Sequence, residues 1–179
     1  MVCLPAKHAG SGRKEIRLLL FQKEMQLLSD HMRKDVIFVD VFDRLLELSQ
    51  EGYYCAQILL ILALESEGKE CPDLVRTMGG LNGGLGNTGG ICGCLTGGAC
   101  FLSYYTGKGE ADEMEHPDHN QMIQELVSWF REYTAEYGGD TCNCILEHDN
   151  RNKFERCPAI ISAVLEKCME LLEEHGACI

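Results

Sequence analysis

The chain has 179 residues and a formal net charge of −12, with 45% hydrophobic and 25% charged residues. That length supports one domain with a real core, and the composition is ordinary for a globular protein. The acidity argues against nucleic acid or anionic membrane as a partner, and an odd count of 11 cysteines cannot all pair within one chain.

Residues 1–12 show no periodicity and read as a flexible N-terminal arm. Ile16, Leu19, Leu20, Leu27 and Leu28 recur at helical spacing, which predicts an additional N-terminal helix within 13–34. The remainder, 35–179, reads as a single helical domain. The run from Ile16 to Phe21 is broken by Arg17, and Ile58 to Leu64 is too short to span a bilayer. A cytoplasmic protein without membrane insertion is expected, and in a reducing compartment cysteines serve metal or redox chemistry more often than disulfides.

Asp35 can cap a helix reaching Ser49, with Val36, Val39, Phe42 and Leu45 on one stripe and Gly52 closing it. Tyr53 to Glu67 predicts the next helix, with Cys55 in its first turn and Gly68 as its stop. Cys71-Pro72-Asp73 begins a short one, because proline suits the first helical position. Then comes the most unusual stretch, in which ten of the 19 glycines fall between Gly79 and Gly98. It reads as a tight loop that delivers Cys92 and runs into a helix from Ile91 to Tyr105, whose small residues permit a close crossing.

Gly107 to Pro117 is an acidic connector. His116-Pro117-Asp118 predicts the start of a helix to Tyr137, with Met122, Leu126, Trp129, Phe130 and Tyr133 inward. A short element at 141–146 and a polar loop at 148–155 precede a last helix, predicted from Cys157-Pro158 to Glu174. No segment alternates with period two. The expected fold is all-α, a compact multi-helix bundle with a glycine-rich loop leading into a small-residue helix.

Four cysteines stand out by local setting. Cys55 follows a break at Gly52, Cys92 follows Gly89-Gly90, Cys142 follows Gly138-Gly139, and Cys157 precedes Pro158. Each is expected near a helix N-terminus, where free N–H groups and the helix dipole favour a thiolate. Four such thiolates suit an iron–sulfur cluster held by Cys₄, with [2Fe–2S] favoured. Gly90 and Gly93, flanking Cys92, are the glycines expected to let a cofactor approach the backbone. Cys94 and Cys144 are second members of C-x-C pairs. Helical i and i+2 positions do not share a face, so only the first members need reach a common site. Cys100 and Cys168 read as packing residues, and His148 as a reserve metal ligand.

Three alternatives stay open. One is a thiol–disulfide oxidoreductase or redox sensor without a cofactor, pairing Cys92 with Cys142 or Cys157. Another is structural zinc, and the last is a helical interaction domain with cysteines as core filler. An unidentified redox partner protein is expected for the cluster reading, and a homodimer could bury the apolar face of the 13–31 helix.

Gly52-Tyr53-Tyr54-Cys55-Ala56-Gln57, the glycine loop ending Cys92-Gly93-Cys94-Leu95-Thr96-Gly97, Cys142 and Cys157-Pro158 together resemble the redox-active protein family defined by the C_GCAxxG_C_C cysteine pattern. The resemblance covers about 36–174. It carries the four motif cysteines onto Cys55, Cys92, Cys142 and Cys157, a register in which Cys94 stands where the family has alanine. A similar module precedes the haem-binding part of split-Soret cytochromes, which implies an iron–sulfur cluster as occupant.

Overall fold

The structure is a computed structural model that describes residues 41–177. The chain divides into two compact units, Met1–Asp43 and Arg44–Ile179, and the second holds everything discussed below. The expected arm, the helix within 13–34 and its dimer face, and the boundary at 35 lie outside the described residues. So do Cys3 and Cys178.

Seven α-helices, a four-residue helical turn at Asn82–Leu85 and two 3₁₀ turns are the regular elements of the described residues, with no strand among them. Residues 41–50 form α1, and the αL glycine Gly52 follows it (φ 94°). Helix α2, Cys55–Ser66, is buried nearly all round through Ala56, Ile58, Leu59, Leu60, Ala63 and Leu64. Helix α3, Pro72–Met78, carries proline in its first turn as expected.

Helix α4, Gly93–Thr106, is the centre of the bundle and packs against α2, α5 and α7. Its glycines explain how. A Cβ at Gly97 would stand 2.7 Å from the Ala56 Cα, and one at Gly98 would stand 2.6 Å from Val164 Cγ1. Each interior glycine costs about 1 kcal/mol in helix propensity. Close packing on both sides offsets that cost.

Helix α5, His119–Tyr133, presents His119, Met122, Leu126 and Phe130 to the core at three- and four-residue spacing. Tyr133 is 39% exposed rather than inward, its ring stacked on Trp129. A 3₁₀ turn, Ala135–Tyr137, completes the segment that the sequence assigned to one helix. Helix α6, Cys142–Leu146, is the short element.

Helix α7 runs Asn152–Glu174 and buries Ile160, Ile161, Val164, Cys168, Leu171 and Leu172. It begins well before the predicted Cys157-Pro158 start, so Pro158 sits inside the helix. Cys157 is therefore not at a helix N-terminus. Turn bonds from the Asn152 N–H to the Asp149 oxygen and from Lys153 to the Asn150 oxygen start the helix earlier. Pro158 leaves the Phe154 carbonyl without its helical donor, but Phe154 is 81% exposed and water can take that place.

Candidate sulfur site

Three pieces of chain bring the thiols together. Cys55 is the first residue of α2. The backbone N–H of Tyr54 just before it donates to Gln57 Oε1 (3.3 Å). The same oxygen accepts from Asn82 Nδ2 (3.1 Å), while Gln57 Nε2 donates to the Val75 carbonyl (3.3 Å). Gln57 thus ties the start of α2 to α3 and to the glycine loop.

In that loop Gly83, Gly84, Leu85, Gly86 and Asn87 all have positive φ, five left-handed residues in succession. A Cβ at Gly84 would meet the Gly89–Gly90 backbone, so this turn can close only around a bare Cα. The chain then meets the segment before α6 in a short antiparallel bridge, Ile91 opposite Thr141. Cys92 N donates to the Asp140 oxygen (2.9 Å), and Cys142 N donates to the Gly90 oxygen (2.8 Å). That bridge sets Cys92 beside Cys142 although fifty residues of sequence separate them.

A cavity of about 520 Å³ results, with Cys55, Cys92, Cys94, Cys142 and Cys157 in its wall. The Cys92 sulfur shares hydrogen bonds with the Cys142 and Cys94 thiols, and Cys94 with Cys55 as well. The four cysteines expected from the sequence thus line one space, joined by a fifth that was not expected. Helical face geometry does not apply to Cys92 and Cys94. Cys92 is the N-cap of α4, with extended backbone (φ −57°, ψ 132°), so its sulfur and that of the helical Cys94 meet.

Backbone amides add to the sulfur environment. Ala56 and Gly83 N–H groups reach the Cys55 sulfur, Cys94 and Leu95 N–H groups reach Cys92, and Gly93 N–H reaches Cys142. Thiol protons from Cys142 and then Cys94 hold Cys92 well below the usual thiol range, against burial. A Cys94 thiol proton likewise lowers Cys55. The donors move the other way: Cys94, bonded to Cys55 and Cys92, and Cys142, bonded to Cys92, are both pushed up. Burial, and then the negative charge of Cys55 and Cys92, pushes Cys157 up to about 12. From Cys55 through Cys94 and Cys92 to Cys142 the thiols alternate between lowered and raised.

Gly90 and Gly93 do not line the cavity; they stand just behind it. A Cβ at Gly93 would lie 2.5 Å from Cys55 Sγ, and the Gly90 carbonyl is the acceptor for Cys142 N–H. The glycines in the wall are Gly52, Gly83 and Gly89. Cys144 lies outside, its sulfur facing Gly139, and His148 is exposed and away from the wall. Cys168 is buried and donates to the Gly98 oxygen (3.6 Å), a packing residue as expected. Cys100 packs against a separate cluster around Ala56 and Leu60. All nine described cysteines are unpaired.

A family model described as "Putative redox-active protein (C_GCAxxG_C_C)" matches residues 53–171, more than half of the chain, and the chain belongs to that family. No curated protein and no solved structure matches it. Gly93-Cys94-Leu95-Thr96-Gly97-Gly98 matches the Gly-Cys-Ala-x-x-Gly of that description at three of its four defined positions, with leucine in place of alanine, and Cys94 shares the cavity wall with Cys92.

Among the described residues, no helix is long and apolar enough to cross a membrane.

Proposed function

We propose that the domain holds an iron–sulfur cluster, [2Fe–2S], on the floor of this cavity and exchanges single electrons with a partner protein. The observation that carries the reading is the meeting of five thiols, three of them receiving backbone N–H donors, in one space. The donor set fits. Such clusters take four cysteine thiolates, and N–H groups directed at sulfur are among the features that tune them. Cys55, Cys94, Cys142 and Cys157 are the four we take as the cluster's ligands, because Gly93-Cys94 through Gly98 follows the family's Gly-Cys-Ala-x-x-Gly pattern more closely than the residues around Cys92 do. Cys92, expected from the sequence as a ligand, is the fifth sulfur.

A two-iron cluster needs only two protein sulfurs at each iron. When bound, it would supply the one-electron step. The chain itself exposes sulfur to the cavity, holds the thiolates with amide protons, and keeps Cys92 and Cys94 out of solvent.

A second reading rests on the contact between Cys92 and Cys142. The low-lying Cys92 thiolate already touches a protonated neighbour, the arrangement that closes to a disulfide on two-electron oxidation. One experiment separates the two. Protein prepared anaerobically with iron and sulfide should turn brown. Cys94→Ser or Cys55→Ser should abolish that colour, and Cys92→Ser should retain it. Colourless, iron-free protein that instead yields a single Cys92–Cys142 disulfide after mild oxidation would establish the dithiol reading in its place.

A further inference from the structure

The cavity extends beyond its sulfurs, and its outer wall has a chemistry of its own. Among the described residues no aspartate or glutamate lines it, although the protein carries a charge of −12. Lys153 is the one lysine or arginine in the wall. Among the nine described side chains of those two types, seven pair with carboxylates and Lys108 donates to the Ala111 oxygen. Lys153 has neither kind of partner among the described residues. Its ammonium stands over the Tyr54 ring at 4.0 Å from the centroid, at the cavity edge.

Asn87 and Asn143 line the same cavity, and their side chains make no hydrogen bond among the described residues. Both are accommodated by glycine. A Cβ at Gly83 would overlap the Asn87 amide, and one at Gly89 would overlap the Asn143 amide. Two glycines of the left-handed loop thus leave room for the two amides. A cation with no carboxylate partner, two amides with no side-chain hydrogen bond and no carboxylate in the wall, all among the described residues, make one surface suited to negative oxygen.

We propose that the outer part of the cavity binds a small oxyanion, a carboxylate or an inorganic oxoanion, held by Lys153 and the amides of Asn87 and Asn143 beside the sulfurs. The anion's role as a small-molecule partner of the sulfur centre rests on the redox reading above; its binding does not.

The test is calorimetry on the full chain, reduced and anaerobic, at low ionic strength, with sodium acetate, sodium sulfate and sodium phosphate as probes. Saturable one-site binding is expected for at least one, acetate alone indicating a carboxylate site and sulfate or phosphate an oxoanion site. Lys153→Met should weaken it by about tenfold or more, as loss of a charge-assisted bond does, and Lys108→Met should not. Independently of any variant, the side-chain amide resonances of Asn87 and Asn143 should shift as the probe is added to wild type. If no probe saturates the protein, if those resonances stay fixed, or if Lys153→Met binds as tightly as wild type, the proposal is overturned. Measuring iron-free and iron-loaded protein in parallel keeps the two readings apart. Anion binding without iron uptake ends only the cluster, and iron uptake without anion binding ends only this site.

Discussion

At the scale of single residues, the structure is sensitive to hydrogen atoms that stand where methyl groups could have been. Gly97 faces backbone, the Ala56 Cα, which cannot swing away as a side-chain tip can. Gly97→Ala should therefore destabilise the domain by about 1–3 kcal/mol, the usual cost of overpacking. Gly80, with open space around it and no positive φ, should accept alanine with little change or a slight gain. Urea unfolding of the two variants compares them directly. Part of this was legible in the sequence, where glycine spacing predicted a close helix crossing. The place of Cys94 was not read there, because a face argument for helices was applied to a pair whose first member is an extended cap. The closeness of Gly93 to Cys55 explains why the residue between Cys92 and Cys94 must lack a side chain.

At the scale of elements, the helices predicted from period and stops are largely those observed, and the exceptions are local. Proline at 158 suggested a start, yet the turn after Asp149 nucleates α7 first. The far end of that helix carries a device that periodicity could not reveal. His175, its C-cap, places Nδ1 3.2 Å from Asp118 and Nε2 3.2 Å from Glu125, clasping α7 to the start of α5. Glu125 first, and Asp118 next, raise the imidazole above its ordinary value near 6.5. The clasp therefore contributes in full below that ordinary value and fades as pH rises through the raised one. Glu125 is lowered, by Gln121 and then by His175, so its own contribution fades as pH falls through the depressed carboxyl value. Thermal unfolding followed from pH 6 to 9 should show wild type losing stability on the alkaline side. His175→Gln should flatten that loss.

At the scale of the whole described domain, chemistry and architecture meet at one end of α4. The helix that fills the centre of the bundle is capped by Cys92 and carries Cys94 in its first turn, so the site rests on the best-packed element. The bundle's helical class could be inferred from periodicity because local pattern determines it. The cavity could not, because its wall draws on α1, α2, the glycine loop, α6 and α7, and only packing brings those together.

The bridge of Ile91 with Thr141 has a temporal consequence. The amides of Cys92 and Cys142 are fastened to opposite sides of the same short crossing, so neither can be freed while the other stays fastened. Deuterium should enter both at a common pace, slower than the exposed loop at 108–115. That seam, and not the melting of the helices behind it, would set how often the sulfurs meet the outside world.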